Sequence, residues 1–202
     1  MTSLSESPLA GLVERVASAD PAPGAGPSAA WTCALAAALV EMVCAVSLRK
    51  EADDPEETAR RRDRAAALRA RALELADEDV AAYTDVLAVI RRREQPGYAT
   101  RLCDALSEAA DPPLAIVEIA AEVTALAADA AAEARGGVRG EALTAAVLAE
   151  AVVRAGLPLV DLNLGGAPDD PRRARVRELA GAARADLDRS LHDTPQTQGA
   201  RS

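Results

Sequence analysis

Between residues 68 and 89, Leu68, Ala72, Leu75, Ala82, Val86 and Val89 recur in alternating steps of four and three, and the stripe they draw passes through Asp79. A carboxylate on a core-facing stripe must be hydrogen-bonded, paired with an arginine, or raised in pKa, and carboxyls in that position concentrate at functional sites. The chemistry open to such a group is proton transfer near neutral pH. Tyr83, one turn later, supplies a hydrogen-bonding hydroxyl. Asp77 and Glu78 point to other faces, and periodicity alone assigns them to solvent. At this level Asp79 reads equally well as a structural carboxylate that caps or pairs inside the core.

Three further features carry charge or backbone donors. Glu41 stands among Ala34, Ala37, Ala38 and Ala45 in the most apolar stretch, either paired across a subunit contact or at the mouth of a cavity. Glu118, Glu122, Asp129 and Glu133 share one face of a helix whose apolar side carries Ile116, Ile119, Val123, Leu126 and Ala130. Solvation explains that acidic stripe most simply. A line of site carboxylates, or contact with the arginine-rich stretch 60–64, would explain it too. The stretch 21–28, Pro-Ala-Pro-Gly-Ala-Gly-Pro-Ser, leads into a helix, where glycines let backbone N–H groups approach an anion. No Gly-Lys-Ser/Thr follows it and no strand precedes it, so it is neither a phosphate-binding nor a dinucleotide-binding loop of the usual kinds.

Other chemistries are excluded by what is missing. His192 is the single histidine and lies at the start of a polar tail, which rules out His-based triads and multi-histidine metal sites. Cys33, Cys44 and Cys103 are odd in number and lack C-x-x-C spacing, as befits small buried hydrophobes in a reducing compartment rather than disulfides or zinc ligands. The formal charge of −9 weighs against nucleic acid. No basic-then-apolar leader opens the chain. The segment 29–48 resembles a membrane span only in length, since it is mostly alanine and contains Glu41. A cytoplasmic protein with neither nucleic-acid nor membrane partners is expected.

The elements that must position these residues are helices. Alanine fills 50 of 202 positions, phenylalanine is absent, and the aromatics are one Trp and two Tyr, a composition that suits helices and starves strands. Asp54-Pro55, Asp111-Pro112 and Asp170-Pro171 each place a capping carboxylate before a proline tolerated in the first turn, and Glu57 completes a capping box with Asp54. Helices are expected near 4–19, from 28 to 49, 55–93, 98–109, 112–135, 141–155 and 171–191, with a loop at 21–27 and a stop at Gly156-Leu157-Pro158. The fold class is all-α, an up-and-down multi-helix bundle in a single domain over 1–193, with a flexible tail at 194–202. Small side chains leave little burial per residue, which favours a homodimer through the alanine-rich faces.

The ordered set of motifs is recognisable. Pro21, Pro23, Gly24, Gly26, Met42, Val43 and Lys50, then Asp77, Asp79, Ala82 and Tyr83, then Arg91, Pro113-Leu114, Glu118 and Leu162-Asn163-Leu164, resemble in register the cyclodeaminase/cyclohydrolase family. That family comprises the bacterial methenyltetrahydrofolate cyclohydrolases and the C-terminal half of formiminotransferase-cyclodeaminase. The resemblance implies a cyclodeaminase-like helical homodimer that binds a reduced folate and needs no cofactor or metal. The implied reaction is hydrolysis of 5,10-methenyltetrahydrofolate to 10-formyltetrahydrofolate, or cyclisation of 5-formiminotetrahydrofolate with loss of ammonia. It casts Asp79 as proton shuttle, with Asp77 and Glu141 assisting. Pro23, Gly24, Gly26, Ser28, Tyr83, Glu118 and Asn163 would contact substrate, and Lys50 with nearby arginines would receive its glutamate carboxylates. Asp77, Asp79 and Glu141 should then line one cavity beside 23–28. The chain departs from the family at Ala25, where a glycine is usual, at Pro27, which displaces the serine by one to Ser28, and at Glu94, Gly140-Glu141 and Leu159. These changes leave open a diverged member that binds a folate-like ligand without turning it over.

Overall fold

The computed structural model describes residues 8–50, 52–134 and 137–192. Among them are seven helices and no strand: α1 (Leu9–Val16), α2 (Ala25–Arg49), α3 (Pro55–Ile90), α4 (Tyr98–Glu108), α5 (Asp111–Glu133), α6 (Arg139–Asn163) and α7 (Pro171–His192). The expected tail at 194–202 and the first residues of the expected opening helix lie outside the described residues.

Local chemistry accounts for most helix ends. Asp54 Oδ1 accepts from the Glu57 amide at 2.9 Å, with Pro55 in the first turn and Glu56 and Glu57 facing the positive end of the helix dipole. From that cap α3 runs unbroken for 36 residues. Asp170 Oδ1 accepts from the Arg172 amide at 2.9 Å at the start of α7, and the Arg172 hydrogen bonds hold its carboxyl down near about 2. Arg172 also bonds Ser107 O at 2.8 Å and Asp111 at 2.6 Å, tying α7 to the α4–α5 junction.

Besides ends that shift by two or three residues, such as α1 closing at Val16 and α3 at Ile90, three boundaries differ from expectation. Asp111 is the first residue of α5 rather than its cap, which falls on Ala110. Helix α2 starts at Ala25, so Gly26, Pro27 and Ser28 form its first turns instead of a loop, and the Ser28 hydroxyl is engaged with Gly24 O at 2.8 Å. Helix α6 does not stop at Gly156-Leu157-Pro158 but continues to Asn163. Gly156 is there for close packing: a Cβ at that position would meet Val117 Cγ2 at 2.1 Å. Pro158 and Arg154 are both exposed, so the carbonyl that Pro158 leaves without an amide partner faces water, where a helix tolerates the loss.

The helices surround one core. α2 packs on α3, α5 and α6, and α7 packs on α5 and α6. Ala30, Ala36, Ala37, Ala72, Ala120 and Ala145 are fully covered, and these small side chains let the helix backbones approach closely. Larger residues fill the remaining space, such as Leu75 and Ile116, each 1% exposed and each contributing about 1.5–3 kcal/mol of burial. Alternate helices run in opposite directions, so the bundle has two ends. The start of α2, the last third of α3, α4, the start of α5 and the end of α6 meet at one. The end of α2, the start of α3 and the end of α5 meet at the other.

Ion pairs resolve the remaining charges. Glu41 is paired within the chain, accepting from Arg69 Nε on α3 at 2.5 Å. The acidic face of α5 is not a bare solvated stripe. Glu118, Glu122, Asp129 and Glu133 pair with Arg175, Arg64, Arg189 and Arg61 respectively.

Candidate functional site

At the first end of the bundle is a cavity of about 440 Å³ lined by Pro21, Ala22, Gly24, Ala25, Gly26, Asp79, Val80, Tyr83, Leu106, Ala109, Pro113, Leu159, Leu162 and Asn163. Its walls are mainly apolar. No Lys, Arg or His side chain is among them.

Asp79 enters from α3 as the periodicity requires: Leu68, Ala72 and Leu75 below it are buried, and Val86 above it is buried. The carboxyl rests against the first turn of α2, where a Cβ on Gly26 would lie 2.2 Å from Asp79 Oδ1. Only a glycine leaves that space. No hydrogen bond or ion pair reaches the Asp79 carboxyl among the described residues. Burial without a partner pushes its pKa up to about 6, because the charged form has lost water and gained nothing in exchange. The carboxyl therefore exchanges protons close to neutral pH.

Tyr83, 41% exposed, stands at the rim one turn beyond Asp79. Asn163, in the last turn of α6, donates from Nδ2 to Ala109 O at 2.8 Å, which ties the end of α6 to the α4–α5 junction. Gly24 is the residue preceding α2, and no side chain caps that helix. Asp79, Gly24, Gly26, Tyr83 and Asn163 thus share one cavity.

The other candidates lie elsewhere. Pro23 is buried between Ala22 and Gly24 without lining the cavity. Asp77 precedes Asp79 by two residues, roughly 200° around the helix, and is not in the wall. Glu141 is in the first turn of α6, about 27 Å along the axis from Leu159. The expected cavity shared by Asp77, Asp79 and Glu141 is therefore not formed within the chain, because Glu141 and the cavity occupy opposite ends of α6. Lys50 caps the far end of α2, about 36 Å from Gly26, so it does not reach a ligand's carboxylates in this cavity. Glu118 is exposed, 3.5 Å from Arg175 Nε, on an open groove between α3 and α5.

Sequence reasoning missed Leu106, Pro113 and Leu162 as walls. Leu159 and Leu162 lie one turn apart on α6, a repeat that is readable only when the helix is carried past Pro158. The acidic face of α5 does meet the stretch 60–64, through Arg64 and through Arg61, 5% exposed, which donates to both Glu133 oxygens at 2.8 and 3.3 Å beside Cys44, Ser47 and Thr58 at the other end of the bundle. Burial opposes the Arg61 charge, but the Glu133 hydrogen bonds and charge outweigh it and raise its pKa. Among the described residues no group of three or more His, Cys, Asp or Glu side chains could hold a metal ion.

Residues 8–181 match the family model described as formiminotransferase-cyclodeaminase. The chain is 28% identical over 196 residues to a methenyltetrahydrofolate cyclohydrolase from Methylorubrum extorquens, covering 92% of this chain and 94% of that one. Its fold is similar to the crystal structure of a formiminotetrahydrofolate cyclodeaminase from Thermotoga maritima, with a TM-score of 0.79, 24% identity and 92% of each chain covered.

Proposed function

Because the chain belongs to the formiminotransferase-cyclodeaminase family, we propose that it is a folate one-carbon enzyme that hydrolyses 5,10-methenyltetrahydrofolate to 10-formyltetrahydrofolate. The relative from Methylorubrum extorquens, similar along almost its whole length, supports this choice over cyclisation of 5-formiminotetrahydrofolate. The observation that carries it is the Asp79 carboxyl, unpartnered, seated against Gly26 in an apolar cavity and exchanging its proton near about 6.

The chemistry follows from that group. The one-carbon unit of the substrate is a cationic carbon between N5 and N10, and a carboxylate in a low-dielectric cavity favours cation binding. Water adds to that carbon while Asp79 takes a proton from it. The C–N5 bond of the neutral adduct then breaks, N5 receives the proton from Asp79, and the hydroxyl proton leaves to solvent as the formyl C=O forms. One water is consumed and one proton released. The reaction balances with water and Asp79 alone, without metal or cofactor. Gly24 and Gly26 let the ligand and the carboxyl approach the α2 backbone, and Tyr83 covers the rim.

A homodimer in the cytoplasm completes the reading. Support for the dimer comes from the outer faces of α2 and α6. Both helices are apolar enough to cross a membrane by length and composition, yet 50% and 44% of their most apolar windows are buried, and Leu35 and Val147 remain 56% and 46% exposed. Support for a reducing compartment comes from the free thiols of Cys33 and Cys44, the first pushed up to about 12 by burial. The net charge of −9 argues against nucleic-acid partners.

A second reading, a family member that binds a folate-like ligand without turnover, is favoured by Ala25 and Pro27 in the first turn of α2, where Pro27 removes a backbone donor. One assay separates the two. Purified protein mixed with 5,10-methenyltetrahydrofolate is followed by near-ultraviolet absorbance, and loss of the chromophore faster than in buffer is expected. A rate equal to buffer overturns the enzyme reading, and folate binding without turnover establishes the second.

A further inference from the structure

Asn163 has two polar ends, and the structure uses only one. Its Nδ2 donates to Ala109 O at 2.8 Å. A carbonyl oxygen can only accept, so the amide must turn its NH2 to Ala109 and its Oδ1 away from it. No donor reaches that Oδ1 among the described residues, and it is not one of the buried polar atoms lacking a partner, so solvent has access to it. Asn163 is a cavity-lining residue, and no cationic side chain of the lining competes for the oxygen. The bond to Ala109 O holds the NH2 on that side, so Oδ1, with its lone pairs unused, is the group turned away from it.

We propose that Asn163 is a specificity-determining residue whose Oδ1 accepts a hydrogen bond from an N–H or NH2 group on the ligand. Resting on the folate reading, the group it would recognise is the donor edge of the pterin ring, the 2-amino group with the adjacent N3–H. A flat heterocycle presenting acceptors at that edge would be rejected, since two acceptors would then face each other. The bond to Ala109 thus has a second consequence beyond tying down α6: it sets the polarity of the cavity wall.

The test uses the whole chain and three ligands: 5-formyltetrahydrofolate, its analogue with hydrogen in place of the 2-amino group, and its analogue methylated at N3. Dissociation constants are measured by calorimetry for the wild type, Asn163→Ala and Asn163→Asp. Both variants lose the donor to Ala109, but only Asn163→Asp keeps an acceptor toward the cavity. In the wild type at least one analogue is expected to bind about tenfold more weakly than the parent, the cost of an unmade hydrogen bond in a closed site. That penalty should vanish in Asn163→Ala and persist in Asn163→Asp. Should the alanine variant fail to fold, as judged by its helical circular dichroism, Asn163→Leu, which also lacks an acceptor, takes its place. A penalty that is absent in the wild type, or unchanged in Asn163→Ala, overturns the role of Asn163 while leaving the folate reading standing. Failure of the wild type to bind any of the three overturns the folate reading and this one together.

Discussion

Arg61 and Asp79 occupy the same face of α3, eighteen residues or roughly five turns apart, and the bundle treats them in opposite ways. Arg61, 5% exposed, is met by both oxygens of Glu133, with Glu57 at 3.9 Å behind it. Asp79 is met by the bare backbone of Gly26. At one end a buried charge has been given the partner that makes burial tolerable, and at the other that partner is withheld over a cavity. A charge in an apolar stripe does not by itself mark a functional group. Its lack of a partner beside an open space does.

The comparison breaks most visibly on turnover. Asp79→Asn is expected to lower the hydrolysis rate of 5,10-methenyltetrahydrofolate by about 10²–10⁴-fold, the usual contribution of a positioned acid–base group. Glu133→Gln should leave that rate within about twofold. A stopped-flow assay that found the two variants equally impaired would erase the functional distinction between the two ends.

Stability should respond the other way round. Glu133→Gln leaves Arg61 without its main counter-charge and is expected to cost roughly 2–3 kcal/mol in urea unfolding, somewhat below the loss for fully buried pairs because Glu133 is half-exposed. Replacing the charge and its burial together, as in Arg61→Met, should cost much less.

The third prediction concerns pH. Asp79 is raised from 3.8 to about 6 in the folded chain, so the folded state holds its proton more tightly than the unfolded state does. Below about pH 4 both states are protonated and the group costs nothing. Between about pH 4 and 6 stability falls, and above 6 the whole cost stands, about 1–3 kcal/mol. Asp79→Asn should therefore melt above the wild type at pH 7, with the gap closing toward pH 4. A gap independent of pH would mean that the carboxyl carries no burial cost. Wild-type turnover should fall as pH drops through about 6, where the group can no longer take a proton from water.

The smallest effect is at Gly26. A glycine in a helix is about 1 kcal/mol worse than alanine, so Gly26→Ala should stabilise the chain by that amount when Asp79 is also replaced by alanine. With Asp79 present the new methyl meets its carboxyl, and the gain should disappear. Additive effects in that double-mutant cycle would show that the two residues do not touch.

Much of this was legible in the residues. The step of three and four placed Asp79 on the core face of α3, and the Asp54-Pro55 and Asp170-Pro171 pairs marked helix starts that the backbone keeps. Periodicity counts along one helix, however, and says nothing of the axial register between two. The Glu41–Arg69 pair and the four pairs of α5 depend on that register, whereas Glu141 and Lys50 are kept from the cavity by the length of their own helices. Glycine and proline misled for a related reason. Sequence alone marks them as punctuation at 21–27 and at 156–158, whereas Gly26 and Gly156 give way to Asp79 and Val117, neighbours from other helices.

Pro158 leaves α6 mechanically uneven. Two residues before it, Gly156 is locked onto Val117, and across the same turn the amide-to-carbonyl link that would join residue 158 back to Arg154 is missing. The last five residues of α6 therefore form a short cantilever, clamped at Gly156 and tethered at the tip through Asn163 to Ala109. Leu159 and Leu162 ride on it. Lacking one link of its own helix, this wall can bend to accommodate a ligand larger or smaller than the cavity.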